Sequence, residues 1–361
     1  MLDIAERIVA FIAGIAIVTG TFLSAVRTFV LPRSSPTLLT RAIFLTMRDL
    51  FTIFEKRATT YEQRDRILAL YAPLSLLAMP PVWLACILAG FMGMFWAAGS
   101  RSWYEALRIS GSSLLTLGFV PLDRLADVLL GYSEATLGLI MVALLIAYLP
   151  SMYSAFQRRE TAVTLLEVRA GTPPSAIELF QRVHRIGRME KLGDLWISWE
   201  IWFAELEESH TSLPALAFFR SPKPSQSWIT AAGTVLDAAA LAASTLDIPR
   251  DAQADLCIRA GYLALRRICD FFGLPYDPQP APSSPISVTR EEFDAACERL
   301  AGAGVPLKPD RDQSWRDFAG WRVNYDTPLL LLAATITAPP ALWSSDRAPK
   351  RRRPPTFKLG K

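Results

Sequence analysis

The sequence predicts an all-α protein in two parts, a membrane-spanning half followed by a helical half outside the lipid. Three observations predict it. Apolar residues crowd into the first 160 positions and include three charge-poor runs long enough to cross a bilayer. Most of the charge lies beyond position 160, where apolar residues recur at helical spacing. No stretch of that second half alternates apolar and polar residues as a strand does. The averages over 361 residues, 51% hydrophobic and 20% charged, conceal the division.

Residues 8–26 carry no charge and form the first span, within an N-terminal helix assigned to 1–32. Asp3 and Glu6 outweigh Arg7 ahead of it, which argues against the positive start of a cleaved signal peptide. Segment 33–66 follows as a cytosolic connection. Its residues Leu38, Leu39, Ile43, Met47, Leu50, Phe51 and Phe54 recur at helical spacing. They predict an amphipathic helix, placed either on the inner membrane surface or against the cytosolic domain. Residues 67–100 are uncharged and form the second span, with Pro80-Pro81 expected to kink it. Residues 128–157 form the third, with Glu134 as its only charge, read as a pore-mouth or helix-packing group.

Orientation follows from the flanks. Arg27, Arg33, Arg41, Arg48, Lys56, Arg57, Arg64 and Arg66 lie between the first two spans, and Arg158, Arg159 and Arg169 follow the third. The connection between spans two and three is balanced, with Arg101, Arg108 and Arg124 against Glu105, Asp123 and Asp127. An excess of cationic side chains on the cytoplasmic side places the N-terminus outside and the C-terminal half in the cytoplasm of a cell inner membrane or plasma membrane. The net charge of +4 is too small, and too little concentrated in a stripe, to predict a nucleic-acid partner. Cys86, Cys257, Cys269 and Cys297 show no paired spacing and are expected as free, buried thiols.

The outer connection is too apolar for an ordinary exposed loop. Trp103 to Leu115 reads as a short helix, and Thr116-Leu117-Gly118-Phe119 follows it directly. A span, a short helix, a Thr-x-Gly-aromatic tetrapeptide and a second span form one solution to cation permeation, in which backbone carbonyls replace an ion's hydration shell. An extracellular hairpin capping the helices is the alternative. This arrangement over 67–159 resembles the bacterial pore-loop potassium-channel-like family, whose filter reads Thr-Val-Gly-Tyr-Gly or carries Phe for Tyr. The resemblance implies a pore domain of outer helix, pore helix, filter and inner helix, with Thr116, Leu117, Gly118 and Phe119 as the ion filter. It implies Gly138 as a gating hinge in the inner helix and Pro150 as a bend at its intracellular end. It also implies a homotetramer, since one loop per chain needs four chains to close a ring, with monovalent cations, potassium foremost, as the permeating species and no cofactor. The sequence departs from the family at Val120, where the second filter glycine belongs; a β-branched residue disfavours positive φ there. That departure favours the alternative function, a non-conducting membrane sensor or scaffold that keeps the channel fold.

The remainder, 160–340, is predicted as a helical cytosolic domain, and 341–361 as a basic disordered tail containing Lys350-Arg351-Arg352-Arg353-Pro354-Pro355, able to touch anionic lipid. Gly171-Thr172-Pro173-Pro174-Ser175 reads as a helix stop and a fresh start. Trp196, Trp199, Trp202, Phe203 and Leu206 give the next helix a heavy buried face. Further helices are expected over 225–244, 251–272, 289–302 and 313–325, with a Pro-rich linker over 275–285 and a short apolar helix over 329–336. The stretches Trp199 to His210, Phe218 to Ser221 and Trp321 to Asp326 resemble a helical tail of bacterial channel-like proteins of unassigned role. Glu207-x-x-His210 is the one metal-like motif, and a di-iron bundle would need a second such pair that the sequence lacks. The spans hold no nucleophile–base pair and no histidine, so no enzyme is expected.

Overall fold

The structure is a computed structural model describing residues 2–31, 37–100 and 102–349. Arg33, Arg101 and the basic run from 350 onward lie outside the described residues. Every regular element among the described residues is helical; the single β-bridge joins Leu246 to Leu307. Three of the helices are long and apolar enough to cross a membrane.

The chain forms two compact units. The first comprises Met1–Arg57 and Leu70–Tyr153. It holds α1 (Leu2–Phe29), α2 (Leu38–Glu55), α4 (Tyr71–Ala98), α5 (Trp103–Leu114) and the first part of α6 (Leu125–Ala170). Its tightest packing is α1 on α4, and glycines permit it. A Cβ on Gly14 would lie 2.5 Å from the Gly90 carbonyl oxygen, and one on Gly90 would lie 2.9 Å from that of Gly14. Small residues that let two backbones touch are the usual means of joining helices in lipid, where burying apolar side chains yields no gain. Near the start of α1, the Arg7 guanidinium donates to the Trp96 carbonyl at 3.0 Å and lies 5.1 Å from the Trp96 ring. Toward its other end, Phe29 packs between Trp83 of α4 and Tyr148 of α6, with ring centroids 5.0 and 4.4 Å away.

Helix α4 runs through Pro80 and Pro81 without interruption. The amphipathic helix expected in the first connection is α2, and within its own unit it packs on α4. Ile43, Phe44 and Phe51 are buried, with Phe44 and Phe51 edge-on to Tyr71, while Leu38, Leu50 and Phe54 stay exposed. Thr37 caps α2 and joins Ser24, Thr28 and Thr40 in a cluster of mutually bonded hydroxyls that fixes the turn from α1.

The second unit comprises Ala58–Ala69 and the chain from Ser154 onward. It contains α3 (Tyr61–Ala69), the last part of α6, α7 (Ala176–Arg185), α8 (Leu192–Ser212), α9 (Trp228–Ser244), α10 (Ala252–Phe272), α11 (Arg290–Gly302), α12 (Arg311–Arg322) and α13 (Asp326–Ile336). Gly171 ends α6 at a φ of +80° and Ser175 opens α7, as the stop and start signals predict. All five residues of the aromatic stripe on α8 are buried. Helix α9 is the central element, buried on nearly every side, and α10, α12 and α13 pack around it. Its Asp237 accepts from Tyr325 at 2.9 Å and pairs with fully buried Arg322, which also bonds Asp326 at 2.7 Å and the Trp343 carbonyl at 2.5 Å. Trp343 is itself buried, so the chain just after 340, assigned from the sequence to the tail, closes this core. Helix α6 passes through both Pro150 and the 159/160 boundary unbroken. Cys257, Cys269 and Cys297 are free and buried, and Cys86 is free and half-buried.

Candidate functional site

Trp103–Leu114 forms α5 because Ser102 caps it, accepting the Glu105 N–H at 3.2 Å, and because one face is apolar or small. Ala106, Ile109, Ser110, Ser112 and Leu114 are buried on that face. The helix stops at Leu115 with a Schellman-like turn in which the Leu117 N–H donates to the Ser112 carbonyl at 2.8 Å. Beyond it the chain is non-helical to position 124.

Thr116, Leu117, Gly118 and Phe119 therefore lie in one irregular run directly after the C-terminal end of α5. Thr116 has a φ of +54° and Gly118 of +68°, whereas Leu117 and Phe119 stay at negative φ. Glycine takes the left-handed region at little cost, but for a β-branched residue such as Thr116 it is a genuine outlier. Alternation of hand along successive residues turns successive carbonyls toward one side, which a regular strand does not do. The alternation ends at Val120, which keeps a negative φ. Ser112 anchors the run from behind: its buried hydroxyl oxygen accepts the N–H groups of Phe119 at 3.1 Å and Val120 at 3.3 Å. Leu117 and Phe119 are 59% and 54% exposed, and Leu115 is exposed beside them.

Helix α6 supplies the floor. A Cβ on Gly131 would lie 2.6 Å from Leu122 Cδ1, and one on Gly138 would lie 2.7 Å from the Leu114 carbonyl oxygen. Between these glycines, Glu134 is fully buried and accepts from Ser110 at 2.5 Å; the Ser110 oxygen is also 3.2 Å from the Leu88 carbonyl oxygen. Glu134 is thus a packing group joining α6 to α5. Arg124 closes the far end of the run, paired with Asp127 at 2.8 Å and donating to the Ala98 carbonyl at 3.1 Å.

Within the first unit α6 has three distinct faces. Asp127, Gly131, Glu134, Gly138, Met141, Tyr148 and Met152 face the protein. Tyr132, Leu139, Val142 and Ile146 form an exposed bulky face. Ser133, Thr136, Ala143 and Ala147 form an exposed face of small and hydroxyl residues in which Ile140 is the large side chain at the middle. The Ser133 and Thr136 hydroxyls bond backward to the carbonyls of Leu130 and Tyr132, so neither demands another partner.

Thr116, Leu117, Gly118, Phe119 and Val120 thus follow one another in a single irregular run, and Gly138 lies against Leu114, two residues before it. Pro150 stands apart, exposed and about 18 Å further along α6 at 1.5 Å per residue. Sequence reasoning missed Ser110, Ser112 and Gly131. The seven-residue spacing of Gly131 and Gly138 with Glu134 between them is the signal that marks one helix face. Among the described residues no group of three or more His, Cys, Asp and Glu side chains is placed to hold a metal ion. Glu207 and His210 face different partners, Arg267 at 2.6 Å and Arg159 at 3.3 Å.

Comparison with family models, curated proteins and solved structures finds no match to this chain. Its class therefore rests on its own architecture, an all-helical protein with three helices that fit a membrane-associated chain.

Proposed function

We propose that this protein is a potassium-channel-like cation channel, in which four copies bring their 116–119 segments around one axis and pass monovalent cations, potassium foremost. The observation that carries the reading is the alternation of left-handed and ordinary backbone at Thr116–Phe119, placed at the C-terminal end of a short helix between two spans. That helix end bears the negative pole of the helix dipole, which favours a cation in front of it. Two further features support assembly. Leu115, Leu117 and Phe119 are exposed in a single chain and require a covering surface, which neighbouring copies supply. The small and hydroxyl face of α6 suits a water-filled path below the segment, while its bulky face suits lipid or a neighbouring copy. In this reading the N-terminus is outside, the second unit is cytoplasmic, and no catalytic group or cofactor takes part.

The test is a reversal-potential measurement on the full chain in planar bilayers with potassium on one side and sodium on the other. The channel reading expects a cation conductance. The end of the alternation at Val120 leaves fewer well-formed carbonyl rings than a five-residue filter has, so a modest preference for potassium is expected rather than strict exclusion of sodium. The same feature favours a second reading, a non-conducting sensor or scaffold that keeps the channel fold. A tetramer that carries no current supports the sensor, and a monomer in detergent excludes any filter made of one segment per chain.

A further inference from the structure

We propose that residues 213–221 of the second unit are a coupler, one short stretch that grips both helices through which this unit continues into the spans. The stretch begins at the C-terminal end of α8 and includes a 3-10 turn, Pro214–Phe218. One arginine reaches into the stretch from α6, and another, within the stretch, reaches out to α3.

The first is Arg159 of α6. Its guanidinium donates to the carbonyls of Leu216 at 2.8 Å and Phe219 at 2.7 Å, pairs with Glu160 at 2.7 Å, and lies 5.3 Å from the Phe156 ring. Phe156 also packs on Phe219, with centroids 5.8 Å apart. The second is Arg220, the residue that follows the Phe219 carbonyl. It points the other way and donates to Asp65 at 2.6 Å and the Tyr61 hydroxyl at 3.0 Å, both on α3. Its remaining N–H groups reach the carbonyls of Ile336 at 2.8 Å and Thr337 at 3.0 Å, at the end of α13. Both ion pairs are largely withdrawn from solvent, so each resists separation far more than a surface pair does.

Chain continuity makes these grips consequential. Only Leu70, itself in a right-handed helical conformation, separates α3 from α4, and the Leu74 N–H donates to its carbonyl. Helix α6 runs from the third span to Arg159 without a break. On its inner side the coupler is fixed to the core, where Trp228 donates to the Ala217 carbonyl at 3.1 Å and Phe218 packs on Phe272. One peptide bond separates the Phe219 carbonyl, held by α6, from Arg220, which holds α3. A shift of the coupler therefore moves both helices, and loosening either is felt by the other, because coupling of two sites through a shared element is reciprocal. The inference goes beyond the channel reading and does not depend on conduction. In a channel, the coupler would carry movement of the helical unit to two spans at once.

Hydrogen exchange on the full chain in lipid nanodiscs tests it. Asp65→Asn removes the charge that Arg220 holds on α3. The coupler predicts faster amide exchange in α3 and also around 156–164 of α6, by about fivefold or more, the lower end of typical coupling energies. Faster exchange in α3 with 156–164 unchanged overturns the proposal, as does unchanged exchange in α3. If α9 also exchanges faster, the variant has loosened the whole unit and Tyr61→Phe, which deletes a single hydroxyl contact, decides. Paired acceleration in α3 and 156–164 with α9 unchanged supports the coupler, and any other pattern overturns it. No result here depends on ion flux, so failure of the coupler is distinguishable from failure of the channel reading.

Discussion

Gly138 of α6 lies against Leu114, the last residue of α5, so closely that a methyl group on its Cα would stand 2.7 Å from the Leu114 carbonyl oxygen. That proximity accounts for a glycine in the middle of a continuous helix, where glycine otherwise weakens the structure. Gly138→Ala is predicted to force α5 outward at a cost of about 1–3 kcal/mol, the usual range for overpacking. The measurement is thermal unfolding of the full chain, with exchange at 116–120 followed alongside. A purely hinge-like glycine would instead leave stability unchanged and alter only the opening of the path.

The three faces of α6 predict a pattern of water access. With Cys86 replaced by alanine, cysteines placed at Thr136, Ile140 and Ala143 should react with a charged thiol reagent in intact vesicles. Cysteines at Leu139, Val142 and Ile146 should not, because a charged reagent does not partition into lipid or a packed interface. Equal reaction on both faces would remove the support that α6 gives to a water-filled path.

Much of the fold is legible in the sequence because its signals are local. The Trp196-to-Leu206 stripe fixes a buried helix face by periodicity alone, and Thr289 with Glu292 forms the capping box that opens α11. Gly171 and Ser175 bracket a turn by their own backbone and capping preferences. What stayed hidden depends on neighbours distant in the chain. The charge that begins at Arg158 marked the domain boundary at 159/160, yet Arg159 and Glu160 are buried as a pair and α6 continues past them. Residues 58–66 read as part of a connection and 67–69 as the start of the second span, because the partner that draws Asp65 into the second unit is Arg220, 155 positions away. At the candidate site, Thr116 to Phe119 were visible as a motif. Ser112, which holds them, was not, since a serine on a short helix carries no mark of which N–H groups it will accept.

The Arg322 cluster is predicted to be the most sensitive point of the second unit. Burial opposes the charge of Arg322, but Asp237 and Asp326 outweigh it and raise its pKa further above the ordinary guanidinium value. Arg322→Met would leave two buried carboxylates without their cation. The expected loss is about 3–5 kcal/mol, the range for breaking one side of a buried pair. Denaturant titration of the full chain, read at α9 and α12 by hydrogen exchange, measures it; a loss below the effect of a surface pair such as Arg250 with Asp255 would contradict this account.

His210 gives the second unit a pH dependence of definite sign. Its Nδ1 faces the Leu206 carbonyl at 3.0 Å and its Nε2 faces Arg159, so Nδ1–H donates and Nε2 accepts. Burial, and then the charge of Arg159, hold its pKa well below the ordinary value. The unfolded chain binds a proton at this position near pH 6.5 and the folded chain does not. The stability tied to a neutral His210 is therefore complete above about pH 6.5 and lost as pH falls below it, by up to about 1.4 kcal/mol per pH unit. His210→Gln should flatten that acid-side slope in thermal unfolding of the full chain, and an unchanged slope would assign it to other groups.

The claim on which the functional account turns is that the 116–119 segment carries ions. The direct measurement is potassium flux from liposomes containing the full chain, compared with Gly118→Val, in which a β-branched residue replaces the glycine at a φ of +68°. The account predicts flux from the wild type and loss of it in the variant, with both proteins recovered as the same oligomer. Equal flux from the two, or none from a correctly assembled wild type, would contradict it.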